Sequence, residues 1–328
     1  MAWKVLGVGS PLMDLLLDVD DAFLKKHVSG AKGGMEMVEP AVIPELVKLA
    51  GTEPRKAPGG SAGNTIFALA KMGIPCAMMG KLGRDANGDF YRAEFRRCGG
   101  DDSYFIATDE APTGTCLSLV TPDAERTMRS ALGASLLLKP EEVTSKDLSA
   151  FDLVYVEGYM LFSSVLDTLL RCAKSSGCRI GFDLASFEVA GMFRERLLGE
   201  ILPRYVDVLF ANEEESAALL GGGTPARMAE KLNAMCEVVV VKSGVRGSIA
   251  RRSGEVAEIP AFVVENPVDT TAAGDLYAAG FLRGLASGAG LAACGRLGAR
   301  ISAEVVRVFG SVLGNDAWER VFEEMKGL

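Results

Sequence analysis

Short, almost wholly apolar runs recur along the chain at 3–9, 76–80, 153–156, 179–182, 206–210 and 237–241. Between them lie stretches near 61–73, 84–98, 163–176, 188–200 and 224–235, whose apolar residues return every three or four positions. A short run that is apolar at every position reads as a strand buried on both faces. Regular alternation of such strands with amphipathic helices predicts a mainly parallel sheet covered on both sides, a three-layer α/β/α core. From 271 onward the pattern is helical, with breaks at Gly288, Gly290 and near 310–314.

Two segments depart from this rhythm. Residues 14–39 contain Leu15-Leu16-Leu17-Asp18-Val19 and then Gly30 and Gly33-Gly34. Residues 101–130 are rich in strand and turn signals, with no helical pattern between the strands. Together they predict a small β-sheet lid on a core formed by 1–13, 40–100 and 131–328. A length of 328 residues suits one large α/β unit with such an attachment as well as it suits two domains.

Composition narrows the chemistry. The chain is 48% hydrophobic and 24% charged, with a formal net charge of -8. An acidic surface argues against nucleic acid or an anionic membrane as partner, but leaves room for a small anion at a local positive site. No apolar run approaches the roughly 18–20 residues of a membrane span. The N-terminus runs directly into strand-like sequence without a signal-peptide core, so a cytoplasmic location is expected. Seven cysteines, none in a Cys-x-x-Cys pair, fit reduced thiols. The single histidine, His27, leaves no material for a Ser-His-Asp triad or a multi-histidine metal site. Catalysis would have to run on carboxylates, backbone dipoles and a hard metal ion.

Five stretches could carry it. In "VLGVGSPLMD", Gly7 and Gly9 follow a strand as in a dinucleotide fingerprint, but Leu12 stands at the third glycine position and Pro11 interrupts the helix start. What remains is Asp14, either a turn residue or an acid at the carboxyl rim of the sheet. "APGGSAGNTIFALAKMG" offers Gly59-Gly60 for close backbone approach, Ser61 as a helix cap and Asn64 in the first turn. Such a set suits a hydroxylated ligand, or simply a tight turn before a capped helix. In "VDVLFANEEESAALL", Asn212 and Glu215 share a helix face and could hold hydrated Mg²⁺; the alternative is favourable placement of acids on a helix dipole. "VVVVKSGVRGS" places Lys242, Gly244 and Gly247 after a strand, for a nucleotide or for a hairpin turn.

The fifth stretch is "DTTAAGDLYAAGFL", 269–282. A helix starting near Ala273 would leave the amides of Ala272, Ala273 and Gly274 as free donors at the positive end of its dipole, an anion cradle. Asp275 would sit in the same turn. As a cap it would stand earlier, where Asp269 or Thr270 already could. Beside a phosphate, a carboxylate is costly unless it takes the proton of a hydroxyl attacking phosphorus.

In combination and in order, "GSPLMD", "GGSAGN", "NEEE" and "DTTAAGD" resemble the ribokinase-like, or PfkB, carbohydrate kinase superfamily over nearly the whole chain. "GSPLMDLLLDVDDAFLKKH", "APTGTCLSLVTPDAERT" and "LPRYVDVLFANEEES" are most similar to its adenosine kinase branch. The resemblance implies an ATP- and Mg²⁺-dependent kinase acting on a hydroxymethyl group, with adenosine giving AMP as the favoured reaction and ribose, another nucleoside or another sugar as the nearest alternative. It implies Asp275 as base, 272–274 as anion hole, and Arg126 reaching the transferring phosphate from the lid. Asp14, Gly59, Gly60 and Asn64 would bind ribose hydroxyls. Met35, Met37, Met128, Tyr159 and Phe187 would wall the base. Asn212 and Glu215 would organise Mg²⁺ through water, and Lys242, Gly244 and Gly247 would line the ATP site. Asp269 and Thr271, with carbonyls near 306–311, resemble a monovalent-cation (K⁺) site. Ser10 and Met35 stand where that branch often has Asn and Gln, Ala272 where Gly is more frequent, and Lys242 where Thr is usual. A second copy pairing along the lid edge is the protein partner such a lid allows. An NAD-dependent oxidoreductase and a non-catalytic nucleotide-binding protein are the readings from other classes.

Overall fold

The computed structural model describes residues 3–123 and 125–327. Its strands are β1 (Val5–Val8), β2 (Leu12–Asp18), β3 (Met35–Met37), β4 (Arg55–Gly59), β5 (Cys76–Gly83), β6 (Phe105–Thr108) and β7 (Gly114–Val120). They continue with β8 (Arg126–Ala131), β9 (Leu153–Glu157), β10 (Arg179–Asp183), β11 (Val208–Asn212), β12 (Val238–Lys242), β13 (Ser248–Arg252) and β14 (Glu255–Ile259). Nine form one sheet in the order β14-β13-β12-β11-β10-β9-β1-β5-β6, parallel from β12 to β6 and closed at the other end by an antiparallel hairpin.

Every predicted apolar run lies in this sheet, because each strand must bury both faces. In β1, Val5 packs into one core and Leu6 and Val8 into the other. The first core holds Ile66 and Leu69 of the helix Ser61–Lys71, Phe281 of Ala273–Ala286 and Ile301 of Leu291–Val305. The second holds Leu166 and Leu169 of Leu166–Ser175, Leu219 of Glu213–Leu220 and Leu232 of Pro225–Asn233. The expected helix at 188–200 is instead broken into Phe187–Met192, Arg194–Arg196, a wide turn over Leu197–Ile201 and Leu202–Tyr205.

The remaining strands form a second sheet, β3-β8-β7-β2-β4. One face has its own apolar cluster of Leu15, Leu17, Leu117 and Leu119 against Leu24, Ile43 and Leu46. The other face, bearing Asp14, Cys116, Met128 and Ser130, looks onto a cleft. The strand assignments shift the sequence-based lid boundaries. Residues 40–59, expected in the core, contribute β4 and the helix Val42–Ala50 to the small sheet, and β6, expected in the lid, is the edge of the large one. Pairing decides this: the helix Val42–Ala50 finds its apolar partners on β2 and β7, which local pattern does not encode. No helix among the described residues is long and apolar enough to cross a membrane.

Candidate active site

The cleft between the two sheets has a volume of about 1190 Å³. It opens at the carboxyl rim of the large sheet, where ligands of open α/β folds bind. Two helix N-termini converge there.

The helix Ala273–Ala286 begins after Ala272, whose φ of 62° is left-handed for a non-glycine residue, and carries no side-chain cap. Ala273 N–H reaches back to the Thr270 carbonyl at 3.3 Å. The amides of Ala272 and Gly274 have no protein acceptor among the described residues. The cradle therefore keeps two of the three expected donors free. Gly274 leaves the approach open, since a Cβ there would stand 3.0 Å from Lys242 Nζ.

Asp275 lies in the first turn of that helix and points into the cleft. Ser61 Oγ donates to its Oδ1 at 2.7 Å and Asn64 Nδ2 to its Oδ2 at 2.9 Å. Burial raises its carboxyl to about 6, opposed by the Asn64 and Ser61 hydrogen bonds and reinforced by Asp183. An acid tuned toward neutrality, oriented by two donors and set beside free amides, is arranged to accept a proton next to a bound anion. This corrects one sequence reading. Ser61 is not a cap, because Gly60 holds the N-cap position with φ 86°. Asn64 donates one amide N–H to Asp275 and lines the cleft.

The strands deliver the other charges. Glu157 closes β9, is buried, and accepts Ser10 N–H (2.8 Å) and Ala62 N–H (2.7 Å). Burial lifts it to about 7, against the pull of those two amides. Asp183 closes β10 and pairs with Lys242 at the end of β12, Nζ to Oδ2 3.0 Å. Burial disfavours the Lys242 ammonium, but Asp183 and Glu215 outweigh it and its pKa rises. Asp14 is held at about 7 by burial, with Arg126 pulling it down and Asp269 and Asp275 pushing it up.

Asn212 and Glu215 form a reciprocal cap. Asn212 Oδ1 accepts Glu215 N–H, and the Glu215 carboxylate accepts Asn212 N–H (2.7 Å) and Nδ2 (2.8 Å). Burial raises the Glu215 carboxyl. No group of three His, Cys, Asp or Glu side chains among the described residues could hold a metal unaided.

Ser10, Asp14, Met35, Met37, Gly60, Asn64, Met128, Tyr159, Asn212, Glu215, Lys242, Gly244, Gly247 and 271–275 all line the cleft. Four expected residues do not. Gly59 pairs with Leu12 in the small sheet, and a Cβ there would strike the Asp14 carboxylate. Phe187 is half exposed on the first turn of a short helix, outside the cleft. Arg126 is not among the residues lining the cleft; its guanidinium contacts Asp269 and Thr271 Oγ1. Asp269 is buried beneath it. Glu157 and Asp183 escaped the sequence reading, though the signal was present: "LVYVE", "RIGFD" and "VVVVK" are buried strands that each end in a charge at the rim.

A parallel α/β core, a second smaller sheet, and a buried carboxylate beside two free amides at a helix start are the arrangement a phosphotransferase acting on an alcohol would need. The chain belongs to the pfkB family of carbohydrate kinases, whose model matches residues 36–318. It is 28% identical to an adenosine kinase of Dictyostelium discoideum, covering 94% of this chain and 96% of that one. It is also 28% identical to a ribokinase of Staphylococcus aureus, over 70% of this chain and 75% of that one. Among solved structures, adenosine kinase from Sinorhizobium meliloti superposes with a TM-score of 0.85 at 29% identity over the full length of both chains. The fold is ribokinase-like, and the protein is an ATP-dependent kinase for sugars or nucleosides.

Proposed function

We propose that this kinase transfers the γ-phosphoryl group of ATP to the 5′-hydroxyl of a purine nucleoside, with adenosine giving AMP the preferred reaction. The observation that carries this reading is a ring of solvent-exposed apolar side chains at the lid end of the cleft. Met35 is 53% exposed, Met37 54%, Leu136 67% and Phe162 60%, beside Met128 and Tyr159. Apolar surface left bare in a cleft is costly unless a ligand covers it. A free pentose has hydroxyls on every side and gains little from such a wall, whereas a purine ring gains its burial and polarizable contact with methionine sulfur. Below the wall, Ser10, Asp14 and Gly60 offer polar groups for ribose hydroxyls. The full-length similarity to adenosine kinases supports the same acceptor.

In this reading the 5′-hydroxyl attacks the γ-phosphorus as Asp275 takes its proton. The Ala272 and Gly274 amides stabilise the equatorial oxygens, and ADP leaves past Lys242, Gly244 and Gly247. Ser61 and Asn64 keep both Asp275 oxygens aimed. Asn212 and Glu215 would be the residues that hold a hydrated Mg²⁺ ion, which would neutralise phosphate charge. An ADP-release assay over adenosine, inosine, guanosine, cytidine, ribose and fructose tests the acceptor. The highest kcat/KM is expected for adenosine. A higher value for a free sugar would refute the nucleoside assignment and leave the kinase intact.

A further inference from the structure

Asp269 and Thr271 do not fit an added monovalent cation, because a guanidinium already stands there. Arg126, on β8 of the small sheet, crosses to the loop that precedes the anion cradle. Its Nη1 contacts Asp269 Oδ2 and Thr271 Oγ1, and its Nη2 donates to Ser118 Oγ at 3.0 Å. Side-chain exposure is 13% for Arg126 and 4% for Asp269. The carboxylate has little capacity left: Oδ1 accepts Thr271 N–H and Oδ2 accepts Gly310 N–H, each at 2.9 Å. The adjoining amides of Val268 and Asp269 both reach the Val306 carbonyl, at 2.7 and 3.4 Å. Asp269 thus ties loop 268–272 to loop 306–310. An ion touching these same oxygens would face the guanidinium across contact distance in a low dielectric.

We propose that Arg126 takes the place of a monovalent cation in this kinase: it neutralises Asp269, holds the loop that sets the Ala272 and Gly274 amides, and makes turnover independent of K⁺. Arg126 is a positioning residue, acting on the cradle through Asp269 and Thr271. The consequence differs from that of a bound ion. An ion would be present whatever the lid does, but this charge belongs to the lid sheet. The cradle loop acquires its counter-charge only while the lid sheet lies over the cleft, so lid closure and assembly of the anion site become one event. The inference does not depend on which alcohol the cleft accepts.

The test compares initial rates in potassium and in tetramethylammonium salts at equal ionic strength, with whichever acceptor gives the highest rate. Wild-type rates are expected to be the same in both. Arg126→Ala is expected to lose on the order of 10- to 100-fold in kcat/KM, the usual range for an orienting partner of a reactive group. Millimolar guanidinium, and to a lesser degree K⁺, should restore part of that loss, which a merely structural defect would not allow. Thermal melting without any acceptor gives an independent readout: K⁺ should leave the wild-type Tm unchanged and raise that of Arg126→Ala. Several-fold activation of the wild type by K⁺ would overturn the proposal. So would a folded Arg126→Ala that neither cation rescues. If Arg126→Ala does not fold, the wild-type rate comparison and the wild-type melting series still decide the matter.

Discussion

Asn64 Nδ2 donates to Asp275 Oδ2 at 2.9 Å, joining the first turns of two helices that lie 211 positions apart in the chain. With Ser61 Oγ on Oδ1, the contact fixes the rotamer of the proposed base before any ligand arrives. Preorganisation of this kind lets a single carboxylate act without reorganising in the transition state.

Removing the base while keeping its shape is the direct test. Asp275→Asn is expected to lower kcat by about 10²–10⁴-fold, the range for a positioned general base. ATP affinity, measured by calorimetry, should stay close to that of the wild type, since Lys242, Gly244 and Gly247, proposed to line the ATP site, are untouched.

The two donors should also set the pH profile. Asp275 must be ionised to accept a proton, and its carboxyl lies at about 6. The rate kcat/KM is expected to fall as pH drops through about 6. Asn64→Ala removes a hydrogen bond that favours the ionised form, so the acid limb should move to higher pH. An unmoved limb would mean that Asn64 does not tune the base.

Buried acids should leave a signature in stability. Glu157 is lifted from its ordinary 4.5 to about 7, and Asp14 from 3.8 to about 7. The folded chain holds these protons more tightly than the unfolded chain does. Their contribution is therefore complete below the ordinary values and is lost as pH rises through about 7. Urea unfolding of the unliganded protein should show stability falling across that window, with a shallower fall in Glu157→Gln.

The Asp183–Lys242 pair offers a fourth test. Lys242→Met would leave Asp183 buried without its counter-charge, a loss of about 3–5 kcal/mol for a broken buried pair. Adding Asp183→Leu should recover much of the Tm while ATP binding stays impaired, because Lys242 also faces the cradle beside Gly274.

Much of the fold was legible in the chain because burial on both faces of a strand and on one face of a helix is written in periods of two and 3.6 residues. β1, β5, β9, β10, β11 and β12 all lie within two residues or so of their apolar runs at their starts. The helix start at Ala273, with Asp275 in its first turn, was legible for the same local reason. The broken helix near 187–205 was not, since amphipathic spacing continues through its changes of turn.

The sequence by itself determined the layered α/β class, the order of the glycine-rich stretches, and the presence of an acid beside small residues at a helix start. Only the tertiary structure decided who meets whom. Asp275 finds Ser61 across 214 positions, Arg126 finds Asp269 across 143, and Lys242 finds Asp183 across 59. It also moved 40–59 into the small sheet and paired Arg126 with a buried carboxylate. The reason is physical: an element's period is fixed by its nearest neighbours along the chain. The partner of a buried charge is fixed by sheet order and by which side chain can reach it in a medium where an unpaired charge is costly.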